Sequence, residues 1–529
     1  IMASEEACEA PMTEPSEASM PADTKPQKEK VVLLFPDGAP PETADATAAR
    51  LDALKAKHIQ PIKREYLVDT SAGGGDAREE KSGRGQNKKR PVEKPPAEAR
   101  TAGDPAGLAD ETSRVPFDVQ LALRKREYKF LTARGATEAS TASAPPLLKE
   151  RKLVDFSGKV YVAPLTTVGN LPFRRVLTKY GADITCGEMA LCPNLNDGQS
   201  SEWALLRRHK DEKCFGVQLS AAHGDQFGRA CEVVDKYGDV DFVDLNMGCP
   251  IDLVCSKGGG AALMRRNKKV RSILEMGLER LSVPMTLKMR TGWDEDPKLA
   301  HTMAGYAQAW AHELGPGSVA CVFVHGRSRT ARYSRAANWA YVETVARCQD
   351  DAIPKLPIIG NGDIMSYADW EEKRKTAPST CDCAMLARGA LIKPWLPTEL
   401  HEKRAWDISA SERLDILRDF AKFGLDHWGA DDCGVGRCRR FLLEWLSFLH
   451  RYTPVGLLER LPQRMNDRPP KFVGRNDLET LMASDDSRDW VTISEMLLGK
   501  VPDDFSFTPK HKANSYAAAD TTAKPTDWG

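Results

Sequence analysis

A chain of 529 residues and 58.4 kDa exceeds the ~250–300 residues that one hydrophobic core fills, so a large domain with a smaller companion and a tail is expected. Its 75 Lys and Arg balance 75 Asp and Glu, so a polyanionic partner must meet a local basic patch rather than a global positive field. Hydrophobic residues at 41% support a packed core, and no apolar run nears the ~20 residues of a spanning helix, which argues against an integral membrane protein.

Residues 1 to about 145 are rich in Pro, Ala, Glu, Lys, Thr and Ser and carry the run Gly73 to Gly75. Such a stretch buries too little apolar surface to offset its ordering entropy, so a disordered tail is predicted. Two exceptions stand out: Val31 to Phe35 as a stray strand, and Val115 to Leu131 as a helix that docks on the body. The basic run Lys81 to Arg90 reads as a solvated charge run, with nuclear import or RNA contact as alternatives through Asn87-Lys-Lys-Arg90. The 13 cysteines are odd in number and mostly single on apolar stretches, and the acidic start Ile1 to Ala10 lacks a secretory pattern. Free thiols in a reducing compartment, cytoplasmic or nuclear, are expected.

From Lys159 the texture changes to short β-rich runs separated by helical patterns. Eight runs can be counted: Lys159 to Ala163, Asp183 to Met189, Phe215 to Leu219, Val240 to Asn246, Met285 to Met289, Val319 to His325, Pro357 to Gly360 and Asp382 to Ala387. Their number and spacing predict an α/β fold, a (β/α)8 TIM barrel over residues 150–395, with a doubly wound open sheet as the alternative. A helical segment over 396–516 follows.

A barrel places functional residues after each strand on one face, and every run here ends in a polar or glycine-rich group. These are Pro164-Leu-Thr166, Glu188, Gln218, Asn246, Lys288, His325, Asn361-Gly-Asp363 and Ala387-Arg-Gly389. Singly, Gln218 or Asn246 also fits a satisfied core amide; as a set they predict a ligand site. The loops after runs seven and eight, with Gly362 and Arg388, predict a phosphate-bearing cofactor. No full Gly-x-Gly-x-x-Gly is present, which disfavours a Rossmann nicotinamide site.

The most informative stretch is Asp244-Leu-Asn-Met-Gly-Cys-Pro250, followed by Lys257-Gly-Gly-Gly260. A thiol held between Gly248 and Pro250 above a strand end can serve as a proton donor, or as a nucleophile if its pKa is lowered from ~8.5. Cys192, in Leu191-Cys-Pro193, is the weaker competitor because it lacks the flanking glycines. Metal sites are not expected: Cys381 and Cys383 lie within a strand, Cys433 and Cys438 have no second pair at finger spacing, and no iron–sulfur cysteine run is present.

These motifs resemble the tRNA-dihydrouridine synthases. The resemblance rests on Val162-Ala-Pro-Leu-Thr-Thr-Val-Gly-Asn-Leu-Pro-Phe-Arg174, the Cys249 motif, Leu287-Lys-Met-Arg-Thr-Gly292, Val324-His-Gly-Arg-Ser-Arg329, Gly360-Asn-Gly-Asp-Ile364 and Ala387-Arg-Gly-Ala-Leu391. Cys186-Gly-Glu-Met-Ala190, Phe441-Leu-Leu-Glu-Trp-Leu-Ser-Phe448 and Val455-Gly-Leu-Leu-Glu-Arg-Leu-Pro-Gln-Arg464 resemble the eukaryotic type-3 branch in particular. The similarity covers about Asp155 to Tyr516.

The resemblance implies an FMN enzyme that reduces the C5–C6 bond of uridine in tRNA with NADPH as reductant. It implies that Pro164, Leu165 and Thr166 line the flavin, that Gln218 bonds its edge and that Lys288 sits by N1. Asn361, Gly362, Asp363, Ala387 and Arg388 would take the phosphate, with His325 near cofactor or substrate. Cys249 would be the proton donor, and Asn246, Lys257, Arg290 and Arg327 would face the substrate. The variable loop of tRNA is the implied target, with messenger RNA a further possibility.

RNA contact is expected from the helical segment. Ser409 to Trp428 has a helical apolar period with Ser409 and Glu412 spaced as a capping box, and Arg437 to Tyr452 reads as a second helix. Between Arg437 and Arg475 nine basic residues face three acidic ones, a net +6, and Arg437, Arg439 and Arg440 are the predicted backbone contacts. The paired Cys3His fingers found upstream of the barrel in this branch have no counterpart in residues 1–150, where Cys8 and His58 stand alone. RNA affinity then rests on the basic tail and helices, or the chain is an incomplete or divergent form, as its start at Ile1 hints. Two rival functions remain: an FMN oxidoreductase of a free pyrimidine or other small molecule, which needs no basic appendage, and an RNA-binding protein without catalysis, which needs neither Cys249 nor Lys288.

Overall fold

The computed structural model describes residues 32–33, 110–131, 151–465, 467–502 and 505–510. The run Lys81 to Arg90 and most of the predicted tail lie outside these residues. Eight strands form the body: β1 (Lys159–Val162), β2 (Ile184–Cys186), β3 (Cys214–Ser220), β4 (Phe242–Met247), β5 (Met285–Arg290), β6 (Val319–His325), β7 (Ile358–Asn361) and β8 (Cys383–Leu386). Each pairs in parallel with its neighbours in order, and β8 pairs back onto β1, so the sheet closes. The barrel expectation holds and the open sheet falls.

Buried on both faces, these strands read as near-continuous apolar runs rather than as alternation, as expected where helices cover a parallel sheet. Alternate side chains still separate. Val243, Leu245 and Met247 of β4 point outward to the helices, and Phe242 points into the barrel with Tyr161 and Phe323. Phe156, just before β1, plugs the floor of this interior, its ring centroid 5.7 Å from Phe242 and 5.6 Å from Phe323. Phe242 fills the space a side chain at Gly216 would take, since a Cβ there would lie 2.2 Å from its ring.

Helices alternate with the strands, among them α1 (Leu171–Lys179), α2 (Gly224–Tyr237), α3 (Asn267–Leu278), α4 (Ala300–Leu314), α5 (Trp339–Arg347) and α6 (Tyr367–Thr376). Beyond the barrel come α7 (Leu396–Glu402), α8 (Ala410–Trp428), α9 (Asp432–Leu449), α10 (Asp477–Ala483) and α11 (Ser487–Leu498). The predicted capping box starts α8: Ser409 and Glu412 satisfy each other's backbone N–H. The second helix starts five residues before its predicted Arg437, because Asp431 caps it by accepting from the Gly434 N–H at 2.8 Å. Gly434 sits against the carbonyl of Gly429, where a Cβ would lie at 2.0 Å, so a glycine here is what lets this corner close.

One cluster of buried side chains runs from α1 through α8 and α9 to α11. Trp445 is its keystone: its ring packs edge-on against Phe173 at 5.1 Å and its indole N–H donates to the carbonyl of Leu391 after β8. The expected docking of Val115 to Leu131 is present as the helix Phe117–Lys125, which buries Val119 and Leu123. Glu111–Thr112 adds an antiparallel partner to Arg208–His209, and Val32–Leu33 pairs in parallel with Phe472–Val473. Among the described residues, no helix is long and apolar enough to cross a membrane.

Candidate active site

The barrel's inward parity builds the site. Going up β4, Phe242, Asp244 and Asn246 share one face, and the equivalent upper positions of the other strands are Gln218, Lys288, His325 and Asn361. The polar residues at the strand ends therefore form the top layer of the barrel interior, over an apolar floor.

A hydrogen-bonded chain crosses this layer. Thr286 Oγ1 and Gln218 Nε2 both donate to the Asp244 carboxylate at 2.7 Å. Asn246 Nδ2 donates to Gln218 Oε1 at 2.7 Å, and Asn246 Oδ1 accepts from the backbone N–H groups of Gly248 (3.2 Å) and Cys249 (2.8 Å). Asp244 is fully buried, and burial raises its pKa against the lowering effect of these hydrogen bonds and of Lys288. Lys288 is lowered, first by burial and then by Arg290. Its Nζ donates to Asn361 Oδ1 at 3.4 Å, and Asn361 in turn donates to the Met385 carbonyl.

Cys249 is half-buried above this layer, and burial pushes its thiol up from its ordinary value. A shift in that direction favours the thiol over the thiolate. The glycine-rich run locks the loop: Ala261 N donates to the Cys249 carbonyl at 3.0 Å, and a Cβ on Gly260, at φ +56°, would lie 2.7 Å from that oxygen. Cys192 is wholly buried with its thiol pushed higher still, so it presents nothing to a ligand. Arg290 is buried and donates to the Gly248 carbonyl at 2.7 Å and the Ser328 carbonyl at 2.9 Å. These two bonds tie the cysteine loop to the segment after β6. Lys257 is exposed on the turn after Cys255.

Arg327 is engaged within the protein. Its guanidinium is buried and committed: both Asp363 oxygens accept from Nη2 at 2.7 Å, the Arg335 carbonyl accepts from Nε at 2.6 Å, and Nη1 lies 3.2 Å from His325 Nε2. Arginine only donates, so His325 Nε2 accepts and the ring proton sits on Nδ1. Burial, reinforced by Arg290 and Lys288, holds His325 well below its ordinary pKa.

Asp363, at φ +58°, accepts from Arg388 as well, at 2.7 Å. Two guanidinium groups thus share one carboxylate, leaving the cluster one positive charge at the foot of the two late loops. Arg388 reaches the helical part too, donating to the Gln463 carbonyl at 2.8 Å. The glycines of these loops have packing reasons of their own. A Cβ on Gly362, at φ +127°, would lie 2.8 Å from Ala337, and one on Gly389 would lie 2.1 Å from the Ile364 carbonyl. Ala387 and Arg388 are half-buried at the start of the helix Arg388–Ile392. After β1, the neighbour of β8, Pro164 and Leu165 are half-buried and Thr166 exposed, and Glu188 holds their loop by accepting from the Thr167 N–H at 2.6 Å.

Residues 161–429 match the dihydrouridine synthase (Dus) family, a span from β1 to just past α8. The chain belongs to this family. It is 57% identical over 367 residues to a protein of Rattus norvegicus named tRNA-dihydrouridine(47) synthase [NAD(P)(+)]-like, covering 69% of this chain and 55% of that one. Proteins of the same name from Homo sapiens (56% over 367 residues, 69% and 54%) and Oryza sativa subsp. japonica (51% over 375 residues, 71% and 53%) are similarly close. The chain spans about half the length of these curated relatives.

Membership of the dihydrouridine synthase family leaves one predicted surface in need of correction. Arg439 is buried, donating to Ser494 Oγ at 2.8 Å and to the carbonyls of Leu498 (3.0 Å) and Gly499 (2.7 Å) at the end of α11. It is a helix C-cap for its neighbour rather than an RNA contact. Arg437 and Arg440 are exposed. Asp244 and Thr286 were given no role in the sequence analysis, and Glu188, predicted there as one of the strand-end polar groups, holds the loop after β1. The signal for Asp244 was its parity with Asn246 on β4.

Proposed function

We propose that this chain reduces uridine in tRNA to 5,6-dihydrouridine, with flavin mononucleotide as resident cofactor and NADPH as the reductant. The observation that carries the reading is Cys249, partly buried and with its backbone N–H seated by Asn246, beside the inward-facing groups Gln218 and Lys288, in a chain of the dihydrouridine synthase family. The target named for the relatives, position 47, lends support to a variable-loop uridine. The donor set suits a flavin phosphate: Arg327 and Arg388 outweigh Asp363 by one charge beside the late loops, and Gln218, Asn246 and Lys288 offer amide and ammonium groups to a ring system. Bound and reduced, such a flavin supplies a hydride to C6 of the uracil ring. Cys249 then gives its proton to C5 and recovers one from solvent, so the two hydrogens added are one hydride and one proton. A stacked uridine must be extruded to reach Cys249, and on this reading the remaining Nδ2 hydrogen of Asn246 reads its edge.

Lys288 stabilises negative charge on the cofactor side. Lys288→Met is expected to keep bound flavin but to slow its reduction by NADPH at least about tenfold, measured by stopped-flow absorbance. Because burial lowers Lys288, the parent's reduction rate should fall as pH rises at values below the ordinary lysine pKa of ~10.4, while the variant shows no such fall. A variant that reduces its flavin at the parent rate would remove Lys288 from the chemistry.

The helical surface should behave as two classes of arginine. Charge reversal at Arg437 and Arg440 is expected to flatten the salt dependence of tRNA binding by roughly 0.7–0.9 per lost phosphate contact, with flavin content intact. Arg439→Ala is expected instead to lower thermal stability by about 1.5–3 kcal/mol, the range for hydrogen bonds to a charged group. Equal salt slopes in the parent and the Arg437/Arg440 variant would move RNA binding elsewhere.

A further inference from the structure

We infer that Asp244 is a positioning residue: its buried carboxylate sets the donor–acceptor direction of the Gln218 and Asn246 amides and, through them, the seat of the Cys249 thiol. A side-chain amide is ambiguous, since its oxygen and NH2 can exchange places at little cost unless neighbours decide. Here both ends of a chain decide. At the interior end Asp244 is 0% exposed and, when ionised, accepts only, so the Gln218 NH2 must face it. Gln218 Oε1 is thereby turned to Asn246 and takes the Asn246 NH2 at 2.7 Å. Asn246 Oδ1 is left toward the loop, where two donors that cannot reverse, the backbone N–H groups of Gly248 and Cys249, meet it at 3.2 and 2.8 Å.

With Asp244 ionised, each link has one allowed sense, and all agree. Thr286 Oγ1 donates to the second carboxylate oxygen at 2.7 Å and fixes the carboxylate plane. Reversing the chain would bring the Asn246 NH2 against the Gly248 and Cys249 N–H groups, donor against donor, and would lift the loop that carries the thiol. The neutral amide of Asp244→Asn permits that reversal.

The test uses the full flavin-loaded chain and reads two quantities. The first is the alkylation rate of Cys249 by iodoacetamide on its high-pH plateau, where the Cys249 thiol is fully ionised, followed by peptide mass spectrometry. The second is turnover on tRNA. Asp244→Asn is expected to raise the plateau alkylation rate and to lower kcat, each about tenfold, with KM for tRNA within about twofold of the parent. The swapped variant Asp244→Asn/Asn246→Asp puts the carboxylate at the other end, where it accepts from Gln218, Gly248 and Cys249 with the chain running the opposite way. Its alkylation rate should return toward the parent value. Plateau rates equal in the parent and Asp244→Asn, or a swap no better than the single change, would overturn the inference. Loss of folding in both variants would also overturn it, by making the carboxylate a matter of stability alone. The kcat arm rests on the proposed function, whereas alkylation does not, so a change in alkylation without any uridine reduction would retain the positioning role and reject the substrate.

Discussion

Cys249→Ala is expected to abolish uridine reduction while leaving bound flavin and its reduction by NADPH at parent levels. The change removes one sulfur from a loop whose backbone is held independently, by Asn246 Oδ1 on the Cys249 N–H and by Ala261 N and Cys255 Sγ on its carbonyl. Gln218, Lys288 and Asn361, the groups proposed to meet the cofactor, are held by bonds that do not involve the Cys249 sulfur. What is lost is the proton for C5, and removal of a positioned general acid costs about 10²–10⁴ in rate. Cys192→Ala is expected to change stability only, since that thiol is sealed from the site. Full turnover of Cys249→Ala on tRNA, or equal loss in both variants, would contradict the assignment.

The second large effect is expected at Asp363. Asp363→Asn keeps the size of the side chain and, because asparagine tolerates a left-handed backbone, suits φ +58°. It leaves Arg327 and Arg388 without their shared carboxylate; Arg327 and Asp363 side chains are 1% and 2% exposed. Stranding a buried charge costs about 3–5 kcal/mol, so a marked fall in the denaturation midpoint and loss of flavin on gel filtration are expected. Adding Arg388→Met to Asp363→Asn removes one stranded cation and should recover part of the stability, a coupling that a double-mutant cycle measures. An Asp363→Asn protein as stable as the parent would show that the guanidinium pair does not depend on this carboxylate.

The barrel was legible because eight apolar runs end in polar groups at helical spacing, and inward parity then sorted Gln218, Asn246, Lys288, His325 and Asn361 into one layer. Contacts across long separations were not legible. Arg327 and Asp363 are 36 residues apart, and Arg388 meets Gln463 across 75, so nothing local announces that either arginine is already engaged. Arg439 was misplaced for a different reason. A net charge over a segment is blind to which face each residue takes, and Arg439 lies three, seven and ten positions before Leu442, Leu446 and Leu449, on the buried stripe of α9. Its guanidinium is tolerated there because the carbonyls at the end of α11 accept from it.

The central claim is that this barrel reduces uridine within RNA. The direct measurement is to incubate the purified, flavin-loaded chain with NADPH and tRNA transcript lacking modified bases, then to digest the RNA and quantify dihydrouridine by mass spectrometry. Parallel reactions contain free uridine, uracil or Cys249→Ala protein. The account predicts dihydrouridine in tRNA, at one site in the variable loop, dependent on NADPH and on Cys249, with no reduction of the free compounds. Steady NADPH oxidation with reduction of free uracil or uridine, and none of tRNA, would contradict it.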